Sequence, residues 1–170
     1  MSDLTYAEVG ATRRVPLPAG YDHLHYRIQL GTGATVFSRA ADAVLTFRMH
    51  RAAGFTVRTD ASRAAPGVRL SIGFGPLGVP CEVVYTLEEP NHAGFGYGTL
   101  PGHLESGEEA FLVERDAEDR VWFRIVAFSR PARWPALLAG PLSQLGQRGY
   151  ARLCGRTLKR LCSSSRTVVP

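Results

Sequence analysis

Six short segments that alternate between apolar and polar residues recur between positions 55 and 129, separated by residues typical of tight turns. Alternation of this kind predicts half-buried strands, and their short spacing favours an antiparallel meander. The strands are expected near positions 55 to 60, 68 to 75, 80 to 88, 93 to 100, 107 to 115 and 120 to 129. This run predicts one antiparallel sheet in the middle of the chain.

The segments on either side of this run complete the fold. Alternation over 23–30 predicts a first strand, and one amphipathic helix of about four turns follows from Thr35 and stops at Gly54. A long helical region is expected over 134–162, with Pro141 as the first residue of its main part. Because a bent sheet cannot fill its own concave side, we predict an α+β fold. In this fold a curved antiparallel sheet wraps around the long C-terminal helix and leaves cavity space between them.

The chain is expected to form one domain. Its 170 residues, 45% hydrophobic and 21% charged, are typical of a globular protein that buries about two thirds of its unfolded surface. Residues 1–20 are weakly patterned and broken by prolines, which predicts an N-terminal arm lying over the domain. The domain itself is expected over 21–162, with a frayed tail at 163–170.

Charge and cysteine content exclude several classes of protein. The net charge of +5 comes from nineteen arginines and a single lysine against fifteen acids, which fits either a GC-rich genome or recognition of anions. The three cysteines form no CxxC pair, and no apolar run approaches the ~20 residues of a membrane span. We therefore expect a cytoplasmic protein without a metal or a cofactor. Nucleic acid is not expected as a partner, and the oligomeric state stays open.

The stretch from Gly94 to Glu109 is the most site-like part of the chain. It contains five glycines, a proline, a histidine and three carboxylates in sixteen residues. Glycine at every second position leaves one face of a strand bare, so that another backbone or a flat ligand can approach closely.

Four motifs carry a resemblance to a known family: Leu30-Gly31-Thr32-Gly33, Met49-His50-Arg51, the stretch from Gly94 to Glu109, and Phe128-Ser129-Arg130-Pro131-Ala132. With these motifs the chain resembles the domain-of-unknown-function family numbered nineteen-ninety over roughly residues 21 to 160. The architecture resembles the helix-grip fold of the START and Bet v 1-like superfamily, which implies a hydrophobic pocket under the last helix. Two departures are visible. We predict one helix after the first strand where that superfamily has two, and Glu82 stands where the family leads us to expect an arginine.

Three residues of the glycine-rich stretch are candidates for catalysis. His103 suits acid–base chemistry near neutral pH. Glu105, Glu108 and Glu109 are close enough in sequence for one of them to orient its ring or raise its pKa, and Glu105 is the candidate among them. Tyr97, between two glycines, can donate a hydrogen bond to a ligand oxygen. The alternatives are a loop histidine bonded to a backbone carbonyl and an ordinary core tyrosine.

The candidate ligand-binding residues are Tyr85, Tyr97, His103, Arg130, Trp122 and His50. Arg130 follows the last strand, where it either clamps an anionic ligand group or pairs with Glu108 or Glu109. His50 ends the first helix, where a cation is also favoured by the helix dipole alone. A positive row on the last helix consists of Arg148, Arg152, Arg156 and Arg160. It is either a solvated face or a surface for an anionic partner.

Three functional hypotheses follow. The first is a protein that binds a small hydrophobic or amphipathic molecule between the sheet and the C-terminal helix. The second is an enzyme that uses the same cavity for a cyclase-, dehydratase- or isomerase-like reaction. The third is a basic interaction module, which predicts a filled interior.

Overall fold

The structure is a computed structural model that describes residues 3–132 and 134–163, apart from the side chains of residues 134–144. The strands are β1 (Asp22–Thr32), β2 (Thr56–Arg58), β3 (Arg69–Phe74), β4 (Leu77–Glu89), β5 (His92–Thr99), β6 (Glu105–Arg115) and β7 (Arg120–Pro131). The helices are α1 (Ala34–Leu45), α2 (Arg48–Ala52) and α3 (Trp134–Ser163), and a 3₁₀ turn spans Ala11–Arg13. The tail predicted at 163–170 lies outside the described residues except for Ser163.

All seven strands pair antiparallel in one sheet, in the order β1-β7-β6-β5-β4-β3-β2. The register shifts between Gln29 and Gly31 in β1 and between Val83 and Tyr85 in β4. Such bulges bend a strand and increase its twist, so they account for the curvature of the sheet. The predicted α+β fold, a curved antiparallel sheet with a long C-terminal helix, is confirmed.

Helix α3 lies against the sheet at very close range where it crosses β1. A Cβ atom at Gly155 would stand 2.3 Å from the hydroxyl of Tyr26, so this glycine is what lets the helix approach the strand. The buried face of α3 includes Ala151, Cys154, Leu158 and Cys162. Leu145 of the same helix is 62% exposed.

Two helices follow β1 where we predicted one. Helix α1 ends at Leu45, and Phe47 adopts the left-handed conformation with φ of 59° before α2 begins. The Phe47 ring is completely buried and meets Phe95 edge-on, with centroids 5.5 Å apart. This tertiary contact stabilises a break that the helical periodicity does not reveal. Gly54 ends α2 with φ of 94°, as expected of a C-terminal stop.

Helix α3 begins at Trp134, where the helical region was expected to begin. It is continuous through Pro141, so the prediction that Pro141 is the first residue of the main helix is wrong. The first turn contains Pro135 instead. A proline is well tolerated there because the N–H that it lacks would have no partner within the helix.

The N-terminal arm covers the convex face of the sheet. Tyr6, Ala11 and Leu17 pack against Val126 and Phe128 of β7. One carboxylate, that of Glu108 in β6, then receives four hydrogen bonds from the arm: from Tyr6 Oη at 2.7 Å, Gly10 N at 2.6 Å, Thr12 N at 3.0 Å and Thr12 Oγ1 at 2.5 Å. Glu108 therefore serves as the attachment point of the arm.

The bare glycine face of β5 also lies on the convex side, where the chain's own rings cover it. A Cβ at Gly96 would stand 2.4 Å from the ring of Tyr85, and one at Gly98 would stand 2.3 Å from the hydroxyl of Tyr6. Two tyrosine side chains of the protein, rather than another backbone or a ligand, therefore occupy the space beside these glycines. The face available to a ligand is the opposite one.

We expect Gly96→Ala to destabilise the protein by about 1–3 kcal/mol, because the new methyl group overlaps a buried ring that has little freedom to move. The matched control is Gly149→Ala in α3, where no atom lies within 4 Å of the added Cβ. Urea unfolding of both variants measures the difference. Equal stabilities would show that Tyr85 can move aside.

Candidate functional site

A cavity of about 280 Å³ lies between the concave face of the sheet and helix α3. Four aromatic residues contribute to its wall: Phe55, Phe74, Tyr97 and Tyr150. The polar residues that line it are Thr99, His103, Glu105, Glu108, Glu109, Ser129 and Gln147. A small set of polar groups in a mainly apolar wall is typical of small-molecule sites.

The side chain of Glu109 forms the polar centre of the cavity. Glu109 stands opposite Tyr97 in the β5–β6 register, and Tyr97 Oη donates a hydrogen bond to Glu109 Oε2 at 2.5 Å. Burial raises the pKa of Glu109 to about 7, although the bond from Tyr97 acts in the opposite direction. The carboxyl group can therefore accept or donate a proton near neutral pH.

His103 and Glu105 lie at the rim of the same cavity, but their side chains do not form the pair that we expected. The Nδ1 atom of His103 accepts a hydrogen bond from the backbone N–H of Glu105 at 2.9 Å. Burial lowers the pKa of His103. The neutral ring that results carries its proton on Nε2 and can act as a hydrogen-bond donor.

Gln147 of α3 connects the helix to the rim of the cavity. Its Nε2 lies 2.7 Å from both carboxylate oxygens of Glu105 and 3.2 Å from Ser129 Oγ. Gln147 was not among the candidate site residues predicted from the sequence. The helix and the sheet edge are thus joined by polar contacts directly beside the cavity.

His50 and Tyr150 lie at the inner end of the site. His50 is completely buried, and its ring meets Phe111 edge-on at 4.7 Å between centroids. Among the described residues neither ring nitrogen of His50 has a hydrogen-bond partner. Burial lowers the pKa of His50 to about 3, so the ring is neutral. His50 does not line the cavity, but Tyr150 does, with its hydroxyl beside the thiol of Cys154.

The other predicted ligand contacts lie on the convex face, away from the cavity. Tyr85 shares a hydrogen bond of 2.7 Å with Thr12, because the bulge after Val83 turns it to that side. Trp122 lies under the guanidinium of Arg27 at 3.8 Å.

Arg130 also lies away from the cavity. Its guanidinium stacks on Tyr21 at 4.9 Å, rather than pairing with Glu108 or Glu109. The structure thus brings together Tyr97, His103 and Glu105, and it separates them from Tyr85, Trp122 and Arg130.

Neither a metal-ion site nor a membrane-spanning helix is found among the described residues. The described part of the chain has no group of three or more histidine, cysteine or acidic side chains placed to hold a metal ion. Within the same residues, no helix combines the length and apolarity needed to cross a lipid bilayer. The arginine row of α3 is exposed.

Comparisons with known proteins agree with this architecture. Norcoclaurine synthase from Thalictrum flavum, in complex with dopamine and hydroxybenzaldehyde, superposes with a TM-score of 0.62 at 11% identity, over 86% of this chain and 89% of that one. A hypothetical protein from Helicobacter pylori gives a TM-score of 0.61 at 14% identity, over 94% and 96% of the two chains. Likenesses at these identities show the fold alone, which is the helix-grip, Bet v 1-like fold.

Sequence comparison identifies the family. A UPF0548 protein from Deinococcus radiodurans is 36% identical over 170 residues, which covers 89% of this chain and 86% of the relative. The family model described as domain of unknown function DUF1990 matches residues 5–157, including most of the arm. The chain therefore belongs to the DUF1990 family.

Proposed function

We propose that the protein binds a small, largely apolar molecule in the cavity between the sheet and α3, with Tyr97, His103 and Glu109 as its polar contacts. The observation that carries the proposal is the cavity itself. A void of roughly 150 Å³ is known to hold benzene, so about 280 Å³ has room for an aromatic ring with a short substituent. The fold neighbour in complex with dopamine and hydroxybenzaldehyde supports a ligand of this size.

A second function is favoured by one specific observation. Glu109 faces the cavity with a pKa raised to about 7 and bonds to the phenol of Tyr97. A cyclase, dehydratase or isomerase needs an acidic and a basic group close to the reacting carbon or oxygen atom of its substrate. In this alternative Glu109 takes the proton-transfer role that the sequence analysis assigned to His103. The hypothesis of a basic interaction module expected a filled interior, and the cavity speaks against it.

We expect the protein to bind the neutral dye prodan, which fluoresces more strongly in apolar surroundings. Replacing Ala127, which lines the cavity, by leucine should fill part of the space and weaken binding by about tenfold, equivalent to ~1.4 kcal/mol. The matched control is Ala65→Leu at an exposed position. Fluorescence titration of the three proteins measures the affinities.

Equal affinities of the Ala127→Leu and Ala65→Leu variants would place the dye outside the cavity and overturn the proposal. Thermal unfolding of both variants shows whether each is folded. Mass spectrometry of the small molecule after incubation with the protein would detect a reaction product if the cavity is catalytic.

A further inference from the structure

The cavity is acidic. Among its described lining residues the charged side chains are carboxylates, and neither arginine nor lysine is present. Glu108 contributes to the lining, but its carboxylate is occupied by the arm on the convex face. The carboxylates on the cavity side are those of Glu105 and Glu109.

Glu109 has no positive counter-ion among the described residues. Its Oε2 accepts the bond from Tyr97, and no donor of the described chain reaches Oε1. The titratable groups that sense its charge come from four elements: Cys81 of β4, Tyr97 of β5, Glu105 of β6, and Tyr150 and Cys154 of α3. Each of these groups is neutral or negative, so an ionised Glu109 is left without compensation in a poorly hydrated site.

The apolar part of the wall is suited to a cation. The ring centroids of Phe55 and Phe74 lie 4.4 Å apart, and those of Phe55 and Tyr150 lie 4.9 Å apart. Aromatic faces attract ammonium groups, more strongly where water is excluded. The Tyr150 hydroxyl lies in the same region beside the thiol of Cys154, and its oxygen can accept a hydrogen bond from a ligand.

We infer that the ligand carries one basic nitrogen and is an apolar amine, bound as its ammonium ion between the aromatic side chains with Glu109 as the counter-ion. This inference rests on the proposed function and adds the chemical class of the ligand. When the amine cation binds to protein in which Glu109 is protonated, the proton leaves to solvent and a carboxylate–ammonium pair forms. No bond is made or broken in the ligand.

The direction of the pH dependence follows from this proton release. Glu109 ionises around pH 7, while burial raises the pKa values of Tyr97, Tyr150, Cys81 and Cys154 and lowers that of His103. Raising the pH from 6 to 8 therefore ionises Glu109, leaves the two tyrosines and two cysteines neutral, and adds no positive charge at His103. Affinity for an amine should increase by about tenfold over this range.

The test compares three probes of similar shape, namely phenethylamine, phenethyl alcohol and phenylacetate, by isothermal titration calorimetry of the full chain at pH 7.5. Phenethylamine should bind at least about tenfold more tightly than the alcohol, and phenylacetate most weakly. In Glu109→Gln the preference for the amine should disappear while affinity for the alcohol is kept. Glu89→Gln, at an exposed position, is the control and should behave as the unchanged protein.

Several outcomes overturn the inference. The alcohol or phenylacetate binding as tightly as the amine would contradict it, and so would an amine preference that survives in Glu109→Gln. If prodan binds in the cavity and none of the three phenyl probes does, the inference about charge fails and the proposed function stands. If prodan also fails to bind, the proposed function fails as well.

Discussion

Replacing Glu108 by alanine is expected to lower the free energy of unfolding by at least about 3 kcal/mol and to detach the N-terminal arm. The carboxylate is 2% exposed and accepts four hydrogen bonds, two from side chains and two from backbone N–H groups. Hydrogen bonds to a charged group contribute about 1.5–3 kcal/mol each, although losses within one network are not additive. Removing the acceptor also leaves buried donors without partners.

Urea unfolding measures the stability of this variant, and limited proteolysis measures the release of the arm. Cleavage within the first twenty residues should become much faster in Glu108→Ala. Tyr6→Phe removes one of the four bonds and keeps the ring, so its loss of stability should be about 1.5–3 kcal/mol and smaller than that of Glu108→Ala. Glu89→Ala, at an exposed site, is the control. A Glu108→Ala variant as stable as this control would mean that apolar packing alone holds the arm.

Acid should destabilise the protein through His50. Its pKa is lowered to about 3 in the folded state, whereas an unfolded chain has a value near the ordinary 6.5. Between these two values the unfolded state binds the extra proton, so stability falls as the pH is lowered through this window and is fully present above pH 6.5. The contribution of this one group is about 1.4 kcal/mol for each pH unit.

His50→Leu removes the titrating group and also two buried nitrogen atoms that have no hydrogen-bond partner in the described part of the chain. The variant should be more stable than the unchanged protein at pH 7, and its advantage should grow by about 1.4 kcal/mol for each unit down to pH 4. Urea unfolding at several pH values measures the difference between the two proteins, in which the titration of other groups cancels. A difference that stays constant with pH would show that the ring is hydrated or paired. His25→Leu, at an exposed position of β1, is the control.

The sheet and its strand boundaries could be predicted because period-two alternation and turn residues are local signals. The break between α1 and α2 could not, because Phe47 adopts its left-handed conformation only in contact with Phe95. The face of the sheet on which Tyr85 lies could not be predicted either. The bulge after Val83 is not visible in the alternation of apolar and polar residues, yet it moves every later residue of β4 to the opposite face.

Several residues of the glycine-rich stretch line the cavity, but the sequence did not single out Glu109 as its polar centre. Glu109 lies two positions from Gly107 and four from Glu105, so the three share one face of β6, which is a signal that the sequence does contain. What the sequence cannot show is that Tyr97 stands opposite Glu109 across the sheet and that Tyr150 from α3 closes the same space. Both contacts depend on register and helix placement over long separations.

Two neighbouring carboxylates of β6 lie on opposite faces of the sheet. Glu108 attaches the arm on one face, and Glu109 faces the cavity on the other. An insertion or deletion of one residue between Glu105 and Glu109 would exchange the two sides. Evolution of this family should therefore tolerate length changes in the exposed turn at Pro101 and Gly102 and reject them in the strand that follows. We therefore expect the spacing within β6 to be the same in relatives that bind different molecules.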